Sequence, residues 1–232
     1  MNFGYIDENY KEISENISRA TLLAGRDKEP QMLVSVKSAD IEEIEYLVKA
    51  HGIKIVGENR VPQLLERYER YKEMNLDVHF IGSLQTNKVK HVIDKVSLIH
   101  SLDRIELARE IDKRAKKLGI VMDVLVEINS GREENKGGVL PEDAEAFCNE
   151  IASFSSIRLR GFMTMAPKCD ENSEYLKYFC ETYQLVLDIW QKKLHNIDIP
   201  ILSMGMSDSY AEAIMAGSTM VRVGRKMFNK KL

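Results

Sequence analysis

Two rhythms of apolar residues alternate along this chain. Short apolar runs, of the kind that strands buried on both faces produce, recur between longer stretches whose apolar positions return every three or four residues. The first long stretch, about 6–24, carries Ile13, Ile17, Leu22 and Leu23 as a helical stripe and is ended by 25–30. The run 31–37 follows as the first strand, with Leu33, Ser35 and Lys37 on one face and Val34 and Val36 on the other. Ser38-Ala-Asp40 reads as a helix entrance, and 41–51 carries Ile41, Ile44, Leu47 and Val48 at helical spacing. The unit then repeats. A strand over 54–59 precedes a charged helix over about 61–73, and a strand over 78–84 precedes a helix over about 87–93. A strand over 97–101 leads to a helix capped by Asp103, with Glu106 as its capping-box partner and Gly119 as its stop. The strand 123–129 is followed by a polar loop, 130–138, and a helix opening at Pro141. The strand 158–165 leads through 166–173 to a long helix ending near His195, with Tyr175, Phe179, Leu185, Ile189 and Trp190 among its apolar residues. Strand, loop, short helix, strand and loop complete the pattern in 201–228.

Eight such units predict an α/β fold, a single (β/α)8 TIM barrel, with residues 1–232 as one domain undivided by any low-complexity linker. The length of 232 residues suits a fold that typically takes about 250. Charge narrows the range of partners. The net charge is −3 and Lys and Arg are interleaved with Asp and Glu, so no basic face argues for nucleic acid. Cys148, Cys169 and Cys180 form no CxxC pair and read as free thiols of a reducing compartment. No His, Cys and carboxylate set has zinc spacing. The start, MNFGYIDENYKEI, is acidic and polar, unlike a secretion signal, and no apolar run approaches the roughly 18 residues of a membrane span. A cytoplasmic protein without membrane contact is expected.

The candidate chemistry gathers at strand C-terminal ends, where barrels build their sites. Lys37, Asn59, 82–85, Asn129, 163–165, Ser207 and Gly224 all fall there. Ser207 and Asp208 stand at a helix entrance, and Gly224 and Arg225 just past the last strand. Loops after the last two barrel strands offer N–H groups to an anion, and a glycine lets the backbone come close, so a phosphate fits. A lysine across from such a cup suggests a ligand with both a carbonyl and a phosphate, and pyridoxal phosphate has both. A partly desolvated amine at Lys37, near Arg222, is suited to imine formation. Arg222 shares a strand face with Gly224 and can reach a ring nitrogen; a cation there disfavours ring protonation and weakens the ring as an electron sink. Each residue also has an ordinary reading: a snorkelling Lys37, an ion-paired Arg222, Ser207 and Gly224 as cap and turn, Asn59 and Asn129 satisfying loop backbone. His79 and His100 read as core or lining residues, and Met163, Met165, Met204 and Met206 as core filler, with those at strand ends able to touch a ring.

The runs GEN at 57–59, HFIGSLQTNK at 79–88, INSGREENKGG at 128–138, RGFMTMAP at 160–167 and MGMSDSYAEAIMAGSTMVRVG at 204–224 resemble the pyridoxal phosphate homeostasis protein family (YggS/PROSC) over about 33–228. The resemblance implies the barrel of the alanine racemase N-terminal domain, without that enzyme's extra β domain. It further implies a protein that binds pyridoxal 5'-phosphate and keeps cellular vitamin B6 in balance, with no established turnover. Carried over by position, Lys37 is the Schiff-base lysine and Ser207 a phosphate ligand. Gly224 and Arg225 give backbone N–H groups to the same phosphate, Arg222 meets the pyridine nitrogen and Asn59 lies beside the cofactor. The chain departs from the family pattern in three places. Val36-Lys37-Ser38-Ala39-Asp40 stands where Ser-Lys-Thr-Lys-Pro is usual, Arg225 replaces a Ser or Thr, and the Gly-x-Arg-x-Tyr tail is absent.

Three functional classes follow. A non-catalytic carrier is favoured by the resemblance. An amino-acid racemase needs a base on each face of the cofactor, with Tyr210 as the candidate second base. A phosphometabolite enzyme of the aldolase kind requires a carboxylate or histidine near Lys37, where the sequence supplies Asn59. Without a dimer-forming domain a monomer is expected, with an open mouth through which free amines, or the lysines of apo pyridoxal-phosphate enzymes, displace Lys37 and receive the cofactor.

Overall fold

A computed structural model describes residues 3–192 and 200–230. Eight parallel strands close into a barrel: β1 Gln31–Ser35, β2 Ile55–Glu58, β3 Asp77–Phe80, β4 Leu98–Leu102, β5 Met122–Ile128, β6 Ile157–Thr164, β7 Ile201–Ser203 and β8 Met220–Val223. Each pairs with its neighbours in sequence, and β8 closes on β1 with Leu33 opposite Arg222. Helices α1 Gly4–Leu23, α2 Ile41–His51, α3 Val61–Glu73, α4 Val89–Val92, α5 Ile105–Leu118, α6 Ala144–Ile151, α7 Asn172–Gln191 and α8 Tyr210–Met215 pack outside. The expected end of the long helix near His195 lies outside the described residues. Among these helices none is long and apolar enough to cross a membrane.

Because every strand is covered on both faces, the apolar residues divide into two sets. The large one, including Val34, Val56, Phe80, Ile99, Val124, Phe162 and Val221, fills the space between strands and helices. A small one inside the ring comprises Leu98, Leu125 and Met163, with Ile201 against them. The interior also holds polar residues, among them His79, His100, Ser203 and Arg222, which is unusual for a barrel filled by branched apolar layers.

Four local expectations are corrected. The first strand stops at Ser35, two residues early: Val36 N–H still reaches Gly57 O at 3.2 Å, but Ala39 N–H donates to Val36 O at 3.2 Å, closing a turn with Lys37 and Ser38 at its centre. Asp103 does not cap α5; Arg104 holds the N-cap position, and Asp103 pairs with the Arg104 guanidinium at 2.6 Å instead. The stop at Gly119, left-handed at φ 67°, is as expected. Third, α8 has only six residues and starts at Tyr210, so Ser207 and Asp208 sit in the turn before it rather than at its entrance. Fourth, the strand at 158–165 is bulged. Leu159 faces Val124 and Gly161 faces the next residue, Leu125, so Arg160 is left over. The bulge lets Arg158 and Arg160 both lie near Asp123, at 2.6 and 3.7 Å.

Candidate functional site

At the C-terminal mouth of the barrel lies a cavity of about 690 Å³. Asn59, Ser207, Arg222, Gly224 and Arg225, five of the six residues singled out in the sequence as binding a cofactor, line it together. The sixth, Lys37, does not. It is exposed, in the turn after β1, where a partly desolvated amine was expected. The early end of β1 is the cause: Ser35, two residues before Lys37 on the same face, is the last β1 residue in the wall.

The loops after β7 and β8 form one cup. Lys226 N–H donates to Ser207 Oγ at 3.2 Å, and the Arg225 guanidinium pairs with Asp208, joining the two loops across the cavity edge. Arg225, which stands where the family has Ser or Thr, commits its guanidinium to that ion pair. Gly224 has a steric reason to be glycine: a Cβ there would lie 2.6 Å from Ser35 O and 3.0 Å from Ser35 Cβ. The close approach of β8 to β1 at the rim of the cup therefore needs a residue without a side chain. A buried guanidinium, backbone N–H groups at a glycine and a serine hydroxyl make a donor set suited to a phosphorylated ligand.

Arg222 is buried behind the cup. Its Nη1 donates to Ser203 O at 2.7 Å and Ser203 Oγ at 2.8 Å, and its Nη2 to Thr164 O at 3.0 Å. Burial pushes its guanidinium down to about 10, an effect that Glu127 opposes, so it is a cation at neutral pH. From Ser203 a chain of polar groups runs through the ring. Ser203 Oγ lies 3.2 Å from His100 Nδ1, His100 Nε2 lies 3.0 Å from His79 Nδ1, and His79 Nε2 lies 3.3 Å from the Asp77 carboxylate. Burial, then the charges of His79 and Arg222, hold His100 well below the usual histidine range, so it is neutral. The hydrogen bond from His79 lowers Asp77, so it is an acceptor only. One end of the chain, Arg222, can only donate and the other, Asp77, only accept, so Arg222 donates to Ser203 and His79 donates to Asp77. His79 and His100, read from sequence as core or lining residues, are interior residues that hold Arg222 in place.

Glu127 was not singled out in the sequence. It lies on β5, is 7% exposed and lines the cavity. Burial, helped by Asp103 and opposed by Arg222, pushes its carboxyl up to about 7 from an ordinary 4.5. The signal was present: within 123–129 the alternation that puts Leu125 inward also puts Glu127 inward. Folded, Glu127 holds its proton more tightly than in the unfolded chain. Its contribution to stability is thus complete below pH 4.5 and lost as pH rises through 7, a change of roughly 3 kcal/mol. Glu127→Gln is expected to remove that slope. Urea unfolding of cofactor-free protein at about pH 5 and pH 8 measures it, and an unchanged pH dependence in the variant would refute it.

Other residues fall away from the site. The Tyr210 hydroxyl accepts from Asn16 Nδ2 at 3.2 Å on the α1 side and is not in the cavity wall, so the second base of a racemase is not where the sequence offered it. Asn129 is in the wall, but its side chain is engaged with the backbone of Glu133 through both oxygen and nitrogen, at 3.1 and 3.0 Å. Met165 and Met206 line the cavity, whereas Met163 and Met204 are buried in the core.

Comparison with known proteins places this geometry. Residues 9–230 match the family model for the alanine racemase N-terminal domain. A protein of Aquifex aeolicus (strain VF5) named pyridoxal phosphate homeostasis protein is 39% identical over 224 residues, covering 97% of each chain. The crystal structure of an unknown protein from Bifidobacterium adolescentis superposes with a TM-score of 0.90 at 30% identity, over 97% of this chain and 95% of that one. PipY of Synechococcus elongatus PCC7942, with PLP bound, shares the fold with a TM-score of 0.82 at 24% identity, over 97% of this chain and 100% of that one.

Proposed function

Because this chain belongs to the pyridoxal phosphate homeostasis protein family, built on the alanine racemase N-terminal domain, we propose that it binds and buffers pyridoxal 5'-phosphate to keep vitamin B6 in balance. The observation that carries this reading is the joined cup of Ser207, Gly224 and Arg225 beside the buried Arg222, in a relative of a protein whose name states that role. When bound, the cofactor supplies an aldehyde, whose carbon joins a primary amine with loss of one water.

Each residue has a role in that reading. Ser207 and the backbone N–H groups of Gly224 and Arg225 take the phosphate, Arg222 faces the pyridine nitrogen, Asn59 lines the side of the ring, and the amine of Lys37 enters from the rim to make the covalent attachment. The Arg222 cation, fixed by Ser203 and Thr164, keeps a proton off the ring nitrogen, which suits storage better than carbanion chemistry. Exposure of Lys37 supports the exchange role: an amine outside the wall stays open to solvent and to competing amines. The protein acts as a single-domain, cytoplasmic monomer, handing cofactor to apo-enzymes without turnover of its own.

The test is retention after saturation with pyridoxal phosphate and desalting, read as the absorption band of covalently bound cofactor. The wild type is expected to keep it and Lys37→Ala to lose it. An equal band in both would overturn the role of Lys37. Turnover of an amino acid by the loaded wild type would favour the racemase reading instead.

A further inference from the structure

The turn that carries Lys37 is held from outside the cavity by a device that the binding role does not use. Arg67, on α3, donates from Nη1 to Val36 O at 3.2 Å and from Nη2 to Ala39 O at 2.7 Å. These carbonyls belong to the first and last residues of the turn, so the planar guanidinium bridges it from end to end. Gln63, one helical turn earlier on α3, donates from Nε2 to the carbonyl of Lys37 itself at 3.2 Å. Three successive contacts from one helix thus fix the backbone on both sides of the lysine and at it.

Behind Arg67 stands Glu58, the last residue of β2, with 0% exposure. Its Oε1 accepts from the Tyr71 hydroxyl at 2.6 Å and lies 4.0 Å from Arg67 Nη1, while its Oε2 has no hydrogen-bond partner among the described residues. A buried carboxylate left half satisfied is costly, and packing alone gives no reason to keep it. As the counter-charge that holds the Arg67 fork against the turn, it has one. Tyr71, also on α3, orients it. The neighbouring Gly57 and Asn59 face inward, Gly57 against Leu33 and Ile81, so β2 supplies the cavity wall with one face and this support with the other.

We infer that Arg67, oriented by Glu58 and Tyr71, is a positioning residue for Lys37: it holds the 36–39 turn so that side-chain rotation alone brings the amine from solvent to the cavity. The inference rests on Lys37 as the site of covalent attachment. A rigid backbone under a free side chain removes the search that a loose turn would impose on attachment, while Arg67 itself, bonded to the turn, is not in the wall of the cavity that holds the cup.

The experiment uses the full chain, cofactor-free, mixed with pyridoxal phosphate in a stopped-flow absorbance measurement. Binding of pyridoxine phosphate, which has the phosphate and ring but no aldehyde, is measured beside it. Arg67→Lys keeps the charge against Glu58 but cannot bridge two carbonyls, and is expected to slow attachment roughly ten-fold with pyridoxine phosphate affinity within about two-fold. Gln63→Ala, which removes one contact at the surface and leaves the core intact, is expected to slow it about three-fold. A wild-type attachment rate in either variant overturns the inference. So does an equal loss of pyridoxine phosphate binding, which would make Arg67 a support of the whole cavity. Attachment that persists in Lys37→Ala would instead remove the reading on which the inference stands.

Discussion

Arg222→Leu is expected to cost about 3–5 kcal/mol of folding stability and, with it, retention of the cofactor. The guanidinium holds Ser203 O, Ser203 Oγ and Thr164 O with three hydrogen bonds in the interior of the ring. Leucine replaces the volume but takes away the donor that two carbonyls and a hydroxyl share in the closed interior. The loss reaches Glu127, whose ionised form then has no opposing cation and is pushed further toward its neutral form. The stability deficit should consequently be smaller at pH 5 than at pH 8, because a protonated Glu127 does not need Arg222. Arg222→Lys should recover only part, since one ammonium cannot span Ser203 and Thr164 together. Thermal unfolding followed by circular dichroism reads the first effect, with a fall in Tm of about 6–20 °C for a chain of this size, and equilibrium dialysis of pyridoxal phosphate reads the second. A Tm within a degree of wild type would show that the three bonds to Arg222 are dispensable.

Gly161→Ala is expected to be as severe, for a reason unrelated to the ligand. Gly161 has φ 145°, open to glycine and strained for any other residue. A Cβ there would meet the backbone of Ile201, with its N at 2.6 Å, its C at 2.8 Å and its carbonyl oxygen closer still. Ile201 is the residue that Gly161 pairs with, so β7 would have to move away from β6. It cannot do so cheaply: the same segment is bonded to β8, with Met204 N–H donating to Met220 O and Arg222 N–H to Gly205 O, both at 3.1 Å. Ser203 would be carried off Arg222 in the same motion. A loss of about 3 kcal/mol or more, seen as low soluble yield or a much lowered urea midpoint, is the expected result; an alanine variant with a wild-type midpoint would mean that β7 yields easily.

The order of the barrel was legible because each strand is covered on both faces and each helix on one, so the two rhythms of the sequence report burial directly. That five of the six candidate residues gather at one cavity was legible for a related reason: the C-terminal end of a strand is a position that periodicity alone can name. What remained hidden depends on the third dimension. The turn at Lys37 replaces the end of a strand because Arg67 and Gln63, about thirty residues later, hold three carbonyls that a ladder would otherwise use, and no local pattern announces that. The bulge did leave a mark, a glycine inside the run RLRGFMT, which is where a strand interior gives up its register. Glu58 and Glu127 both sit inside apolar runs, but whether a carboxyl there faces a cavity, a helix or a counter-ion is decided by neighbours from other strands.

The proton order inside the ring bears on how sharply this protein defines its own site. A buried network of hydroxyls and imidazoles usually has several arrangements of its hydrogens at nearly equal energy, and each moves the heavy atoms a little. Here a donor that cannot accept, Arg222, and an acceptor that cannot donate, Asp77, stand at the two ends and cut down the arrangements open to the two histidines and the serine between them. The guanidinium at the floor of the cavity, carried by β8, is thereby tied to a carboxylate on β3 by way of side chains from β7, β4 and β3.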